Sequence, residues 1–258
     1  LYIYYYLYRR FSKNWIYFMA LFCSMLPIIL IKLCVYTRFN MLGFIGISYI
    51  SFRIWQMIIE IRDGHIKKIS LLDTLYFITF FPTLSSGPID RYQRFMDDLD
   101  QIIPKKDYLQ SYLMAGLQKI LRGMIYKFGF AFLIQYVIID ALPTEHTVQS
   151  TIVYMYAYTL YLFFDFAGYS SFAVGTSYIL GIKVGENFNK PFLAKNMKEF
   201  WERWHISLSQ WFGDYIFKRF VLNTMRKKIF KSRKTAGRAG NVVTMLVMGI
   251  WHGPYLFY

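Results

Sequence analysis

Residues 148–182 read VQSTIVYMYAYTLYLFFDFAGYSSFAVGTSYILGI and contain one formally charged side chain, Asp165. A helix needs about 20 mainly apolar residues to cross the hydrocarbon core of a bilayer, and this stretch is longer than that. The whole chain of 258 residues has the same character, since 56% of it is hydrophobic and 21% is aromatic. Charged residues make up 17%, against about 25% in average chains. The composition argues against an ordinary soluble globule and predicts an all-α integral membrane protein.

Further apolar stretches flank this one, and we expect each of them to cross the membrane: residues 14–31, 41–61, 123–141 and 239–258. Residues 71–88 lie between two basic loops, so they are expected to enter and leave by the same face as a re-entrant segment. The passage through residues 148–182 is expected to be interrupted near Asp165 and Gly168. The predicted fold is a multi-helix transmembrane bundle with re-entrant and interfacial amphipathic helices around a central passage.

The charge of the chain is strongly positive and unevenly distributed. Thirty Lys and Arg residues stand against fifteen Asp and Glu residues, and residues 190–238 hold thirteen of the former against three of the latter. Lys and Arg next to membrane spans are retained in the cytoplasm. We therefore expect a multi-pass protein of the cell membrane with its basic loops inside, in contact with anionic membrane lipids and not with nucleic acid.

The domain organisation is predicted to be simple. The sequence shows no internal repeat, no low-complexity segment and no soluble domain, so residues 1–258 should form a single transmembrane helical domain. The sequence starts at Leu1 and stops inside an apolar run at Tyr258. On this basis we expect it to be a fragment that lacks helices at both ends.

The first candidate for chemistry is His252, which lies in MGIWHGPY within a run of twenty residues that has no formally charged side chain. Polar groups at membrane depth cost free energy and usually face a cavity or a functional site. The alternative is a buried histidine that forms a hydrogen bond between two helices.

The second candidate is His205 in the segment WERWHISLSQWF. If the segment is one helix, its aromatic residues share a face, and Lys198, Glu202, His205 and Ser209 line up on the opposite face. Glu202 and Ser209 would then lie one turn on either side of His205 and orient its ring. The alternative is the solvated polar face of an interfacial amphipathic helix.

Other polar residues and motifs give weaker evidence of function. Asp165 is expected to pair with a buried cation such as Arg53 or Arg203, or to serve a proton path. No metal-ligand set is predicted. The sequence has no G-x-S-x-G, no P-loop, no G-x-G-x-x-G and no H-E-x-x-H, which argues against hydrolase, ATPase, dinucleotide and zinc-protease functions.

Together, these motifs resemble the membrane-bound O-acyltransferase (MBOAT) family. WERWHISLSQWF is followed by a basic loop and then, 47 residues after His205, by His252 in an apolar segment. The resemblance extends to SSGPIDRYQRF at residues 85–95, to residues 163–182 and to ENFNKPF at residues 186–192. The sequence FKRFV at residues 217–221 favours the branch that transfers D-alanine over the polysaccharide acetyltransferases.

The resemblance implies an activity, partners and catalytic residues. The expected reaction moves a D-alanyl group from the phosphopantetheine thioester of an acidic, DltC-like carrier protein toward lipoteichoic acid, with a DltD-like membrane partner. No permanently bound cofactor is expected, because the carrier protein supplies the phosphopantetheine thioester. By similarity, His252 corresponds to the catalytic histidine of the family and His205 to its second active-site position.

Two sets of residues are predicted to serve the substrates. The walls of the substrate passage are assigned to Trp201, Trp204, Trp211 and Trp251, with Ser209 and Glu202. A cationic rim around an apolar centre is assigned to carrier-protein docking and consists of Lys218, Arg219, Phe220, Val221, Leu222, Arg226, Lys227 and Lys228. Plain retention of positive charge on the cytoplasmic face is the alternative for this second set.

Two other functions stay open at this stage. A polysaccharide O-acetyltransferase of the same family shares every argument about the histidines and differs in donor and acceptor. A transporter or lipid scramblase would instead use Glu60, Arg53 and Asp165 to line a translocation route.

Overall fold

The computed structural model describes residues 1–34, 46–85, 87–143, 145 and 147–253, with no statement on the side chains of residues 32–34. The predicted start of the span at residues 41–61 and the end of the run 239–258 lie outside the described residues. Within the described ranges the chain is helical and contains no strand. The α-helices are α1 (Tyr2–Phe11), α2 (Asn14–Cys34), α3 (Ile47–Arg62), α4 (Leu71–Thr79), α5 (Tyr92–Asp100), α6 (Lys105–Asp107), α7 (Ala115–Met124), α8 (Val148–Ile179), α9 (Met197–Arg203), α10 (Ile206–Phe212), α11 (Lys218–Arg226) and α12 (Arg233–His252).

Within the part of the chain that the structure describes, two helical runs have the length and hydropathy expected of a membrane span. One is Asn14–Ile31 within α2, as predicted. The other is Lys105–Ile139, in which π-helical turns join α6 and α7 into one continuous run. The second run begins earlier than the expected span at residues 123–141, because the amphipathic residues before it continue the same helix.

The helices form two compact units, residues 1–79 with 191–258 and residues 80–190. In the first unit, α2 packs on α3, and α11 packs on α12. The core of this unit includes the fully buried Phe52, Met57, Ile58 and Phe212. In the second unit, α7 and the π-helical residues that follow it pack along α8.

In the second unit, α8 is a single unbroken helix of 32 residues, so the expected interruption near Asp165 and Gly168 is wrong. A capping box begins the helix, in which the Thr147 hydroxyl accepts a hydrogen bond from the Ser150 amide at 3.1 Å. Gly168 continues the helix, and its lack of a side chain allows close packing against the neighbouring helix. A Cβ atom there would lie 2.9 Å from the backbone nitrogen of Lys127.

Asp165 pairs with a different cation from those expected. Its carboxylate forms a salt bridge with Lys127, which the π-helical turns after α7 carry, and not with Arg53 or Arg203. A second link joins α7 to the segment after α8, since Lys119 and Arg122 both bind Glu186. Asp165 and Glu186 are therefore each paired with at least one cation, and one positive charge is in excess among these five side chains.

In the first unit, the buried Arg53 of α3 stabilises the end of α4. It is 1% exposed, and its guanidinium donates hydrogen bonds to the carbonyl oxygens of Phe77 at 2.8 Å and Ile78 at 3.1 Å. The last carbonyls of a helix have no partner within the helix, and a cation near them also favours the helix dipole. Residues 71–88 thus contain a short helix that ends at Thr79, while their re-entrant path stays a prediction.

Candidate active site

The segment WERWHISLSQWF is not one continuous helix. It consists of α9, which ends at Arg203, and α10, which begins at Ile206, and His205 lies between them with φ 43° and ψ 54°. This left-handed backbone conformation is unusual for a residue other than glycine. The prediction that Glu202, His205 and Ser209 share one helical face is therefore wrong.

The polar residues around the break differ in exposure and in their partners. Glu202 is 61% exposed and pairs with Lys198 at 3.8 Å. The Ser209 hydroxyl donates a hydrogen bond to the carbonyl oxygen of Trp204 at 3.2 Å. His205 is 8% exposed, so the alternative of a solvated polar face does not describe this residue.

An aromatic cluster joins α3, α10 and α12 next to the two segments that carry the histidines. Phe52 of α3 is at its centre, with ring centroids 4.6 Å from Trp211, 5.1 Å from Trp251 and 5.9 Å from Phe212. The Trp211 indole also donates a hydrogen bond to the Phe52 carbonyl oxygen at 3.2 Å. Because Trp251 precedes His252 and α10 follows His205, the cluster holds both histidine-bearing segments on the same helix, α3.

The two histidines are close enough to interact electrostatically. Burial, and to a smaller extent the charge of a protonated His252, together lower the pKa of His205 to about 3. His205 is therefore a neutral imidazole at physiological pH, and it can offer one N–H donor. His252 is exposed at the end of α12, where its ring centroid lies 4.5 Å from that of Trp251. The electrostatic effect of His252 on His205 indicates that the two histidines lie near one another, and their catalytic role stays a prediction.

Among the described residues of this unit, two cavities share Phe212 as a wall residue. The larger has a volume of about 590 Å³ and is bounded by α9, α10 and α12. The smaller has a volume of about 420 Å³ and is bounded by α2, α3, α10 and α12. Among the described residues, the walls of these two cavities do not include His205 or His252, so a central passage that reaches them stays a prediction.

The residues assigned to the passage are divided between the two cavities. Trp201, Glu202 and Ser209 line the larger cavity, while Trp211 and Trp251 line the smaller one. Trp204 instead stacks on the ring of Phe200, with centroids 5.6 Å apart.

The residues assigned to carrier docking lie on α11 and directly after it, but the centre of that surface differs from the prediction. Val221 is 7% exposed and faces α12, where a Cβ on Gly240 would lie 3.1 Å from its Cγ2. Leu222, at 64% exposure, is the accessible apolar residue of the set. Lys218, Arg226, Lys227 and Lys228 are exposed around it. Val221 therefore supports the α11–α12 packing and is not available to a partner.

Phe52 was missed in the sequence because no pattern distinguishes it. It is one of 25 phenylalanines and lies next to Arg53, which drew attention as a charged residue within an apolar stretch. Its 1% exposure and its ring contacts with both histidine-bearing segments identify it as the support of the site.

The family model for MBOAT, the membrane-bound O-acyltransferase family, matches residues 3–258. The chain therefore belongs to this family of membrane acyltransferases, as its motifs predicted.

Two similar proteins indicate which branch of the family the chain resembles. The chain is 44% identical to a teichoic acid D-alanyltransferase of Bacillus subtilis (strain 168), covering 97% of this chain and 67% of that protein. It is 42% identical to a teichoic acid D-alanyltransferase of Streptococcus thermophilus, covering 99% of this chain and 64% of that protein. The expected resemblance to this branch, represented by DltB, is confirmed.

A more distant similarity connects the chain with another branch of the family. A probable alginate O-acetylase AlgI of Pseudomonas putida is 33% identical, covering 83% of this chain and 42% of that protein. The chain spans between 56% and 67% of the length of the D-alanyltransferases that it matches.

Proposed function

We propose that this chain contains the catalytic part of a membrane O-acyltransferase that moves a D-alanyl group from a carrier-protein thioester toward lipoteichoic acid. The observation that supports this most directly is the proximity of His205 and His252, which the Phe52 cluster holds on one helix. The similarity to two teichoic acid D-alanyltransferases supports the same acyl group.

In the proposed reaction, His252 is the general base. Its neutral imidazole accepts the proton of the acceptor hydroxyl while the oxygen attacks the carbonyl carbon of the thioester. The C–O bond forms, the tetrahedral intermediate collapses, and the C–S bond breaks. The departing thiolate takes the proton back from His252, so the histidine is neutral again and no covalent acyl-enzyme forms.

His205 is proposed to stabilise the oxyanion of that intermediate. Its burial keeps the imidazole neutral, and a neutral imidazole in the appropriate tautomer presents an N–H donor. Such a donor in a site sheltered from water stabilises developing negative charge more than the same donor in water. His205 would therefore support the transition state without exchanging a proton.

The substrates are proposed to approach from opposite sides of the membrane. An acidic DltC-like carrier protein would bind the exposed Leu222 and the cations around it from the cytoplasm, and would supply the phosphopantetheine thioester. The acceptor, lipoteichoic acid or an intermediate acceptor, would approach from outside with the help of a DltD-like membrane partner. The enzyme itself would need no permanently bound cofactor.

The test is a transfer assay with membranes that contain the full-length protein and D-alanyl carrier protein labelled in the D-alanine. His252→Ala should lower the transfer rate by at least about 100-fold, since loss of a general base typically costs 10²–10⁴. His65→Ala, at an exposed histidine, serves as the matched control and should retain the rate. Wild-type transfer rates for His252→Ala at equal membrane abundance would refute the proposal.

The alginate O-acetylases support a second candidate, the transfer of an acetyl group to a polysaccharide. This candidate uses the same histidines with another donor. Supplying D-alanyl carrier protein and an acetyl donor in parallel distinguishes the two, because each function predicts turnover of one donor. The family membership favours either transferase over a transporter or a scramblase.

A further inference from the structure

The smaller of the two cavities forms an apolar groove beside α2. We call it the α2 groove. Its walls are almost entirely apolar or aromatic side chains and consist of Tyr17, Leu21, Met25, Ile28, Ile29, Phe52, Trp55, Ile59, Trp211, Phe212, Tyr215, Ile216, Val247, Ile250 and Trp251. Its volume of about 420 Å³ lies in the range of pockets that bind small ligands. One wall is the candidate membrane span Asn14–Ile31, so the groove lies at bilayer depth.

The length of the groove matches one leaflet of the bilayer. From Tyr17 to Ile29, its residues on α2 extend over roughly 18 Å at 1.5 Å per residue. The hydrocarbon core is about 30 Å thick, so one leaflet is about 15 Å. A single lipid tail has this reach, whereas a membrane-spanning protein helix would extend about twice as far.

Two arginines mark one end of the groove. The Arg62 guanidinium lies 4.3 Å from the ring centroid of Tyr17, and that of Arg219 lies 5.7 Å from the ring centroid of Tyr215. Both tyrosines belong to the groove wall. Each arginine therefore stands where the apolar wall ends, on the cytoplasmic side according to the expected topology.

The neighbours of Arg219 leave part of its hydrogen-bonding capacity unused, so that it can also bind an anion. Arg219 forms a salt bridge with Asp63, and Tyr215 donates a hydrogen bond to Glu60. The Nε of Arg219 is nevertheless buried and has no hydrogen-bond acceptor among the described residues. Arg9, Arg10 and Lys13 immediately precede α2 in sequence and add positive charge near the start of this helix.

We propose that the α2 groove binds one anionic phospholipid of the inner leaflet, with its phosphate at Arg62 and Arg219 and one acyl chain along α2. The apolar wall and the bilayer depth select a hydrocarbon tail, and the arginines at one end select a negatively charged headgroup. Neither His205 nor His252 lines the groove within the described ranges, although the groove shares Phe52, Trp211 and Trp251 with the aromatic cluster next to them.

The test uses the full-length protein reconstituted in nanodiscs that contain equal amounts of phosphatidylglycerol and phosphatidylcholine. Native mass spectrometry after release then counts the lipids that stay bound. We expect one phosphatidylglycerol to be retained at least about tenfold more often than phosphatidylcholine. Equal retention of the two lipids, or of neither, would overturn the proposal.

A pair of matched variants locates the site. Met25→Trp fills the groove from α2, whereas Met19→Trp adds the same side chain to the exposed surface of α2, away from the groove. Met25→Trp should lose the retained phosphatidylglycerol and Met19→Trp should keep it. Retention by Met25→Trp would mean that the lipid binds elsewhere and would refute the assignment.

A third variant tests the headgroup contact. Arg62→Gln should reduce the preference for phosphatidylglycerol over phosphatidylcholine, because the exposed guanidinium is replaced by a shorter, neutral amide. The thermal unfolding temperature in detergent without added lipid checks that the variant is folded. A folded Arg62→Gln protein with unchanged lipid preference would contradict the role of this arginine.

Discussion

Gly123 of α7 lies directly against the carbonyl oxygen of Gly168 of α8, where a Cβ atom would be 2.8 Å from that oxygen. The contact recurs two turns away, where a Cβ on Gly175 would be 2.6 Å from the carbonyl oxygen of Gly116. Glycines seven residues apart on each helix thus let two antiparallel backbones approach closely. Small residues have this role in membrane helix pairs, where lipid offers no hydrophobic driving force for association.

Gly123→Ala should destabilise this helix pair by about 1–3 kcal/mol, because the new methyl group cannot fit beside backbone atoms. Gly129→Ala is the matched control, since a Cβ there meets its nearest neighbour at 4.0 Å. The control should be neutral or slightly stabilising, as alanine favours helix more than glycine does. Thermal unfolding in detergent measures both, and equal stability of the two variants would contradict the close packing.

The Lys127–Asp165 salt bridge should contribute to the same hairpin. Asp165→Asn leaves Lys127 without its counter-charge in an apolar helix run, and we expect a loss of about 1–3 kcal/mol. The double variant Lys127→Met with Asp165→Leu removes both charges and should recover most of that stability. Unfolding of the single and double variants under one set of detergent conditions tests this, and equal losses in both would argue against the pairing.

The buried His205 predicts a pH dependence of stability. Its pKa is about 3 in the folded state and near 6.5 when unfolded, so the unfolded state binds more protons between these values. The free energy of unfolding should therefore fall as the pH drops below 6.5, by roughly 2 kcal/mol at pH 5. Unfolding temperatures of the wild type and His205→Gln between pH 5 and pH 8 measure this. The variant should lose this part of the slope, while His65→Gln, at an exposed site, should retain it.

Leu222 and Val221 should respond differently to a negative charge. Leu222→Glu should weaken binding of the acidic carrier protein by about tenfold, equivalent to about 1.4 kcal/mol, without changing thermal stability. Val221→Glu should instead lower the stability, because Val221 is buried against α12. Ile102→Glu changes a residue that is 93% exposed and provides the control for surface charge. Unchanged carrier affinity of Leu222→Glu would remove this residue from the docking surface.

The class of fold was predictable because it depends on composition and on the length of apolar runs. Both features are properties of the sequence itself, and they led to a helical membrane protein whose α2 begins where expected, at Asn14. The two histidines stand out in the sequence for a similar reason, and their catalytic role stays a prediction. An ionisable side chain in an uncharged run stands out, and the family motif joined His252 to His205.

Local geometry was less predictable because it is decided by tertiary contacts. Spacing predicts a continuous helix through His205, and a charged residue followed by a glycine in an apolar run predicts a break near Asp165 and Gly168. The structure contradicts both predictions. His205 adopts a left-handed conformation between two helices. Gly168 lies within a continuous helix and leaves room for the backbone near Lys127. The partner of Asp165 depends on which residue of the neighbouring helix lies at the same level, and residue spacing within one helix carries no such information.

Under the proposed mechanism, the backbone at His205 makes protein stability and catalytic activity oppose each other. An imidazole-bearing residue in this conformation costs about 1–2 kcal/mol relative to a residue that adopts it freely, and glycine does so without a Cβ clash. A laboratory selection for heat resistance alone should therefore enrich glycine at position 205, and the enriched proteins should withstand heat better while turning over more slowly. Thermostable variants of this acyltransferase will need activity as a simultaneous criterion.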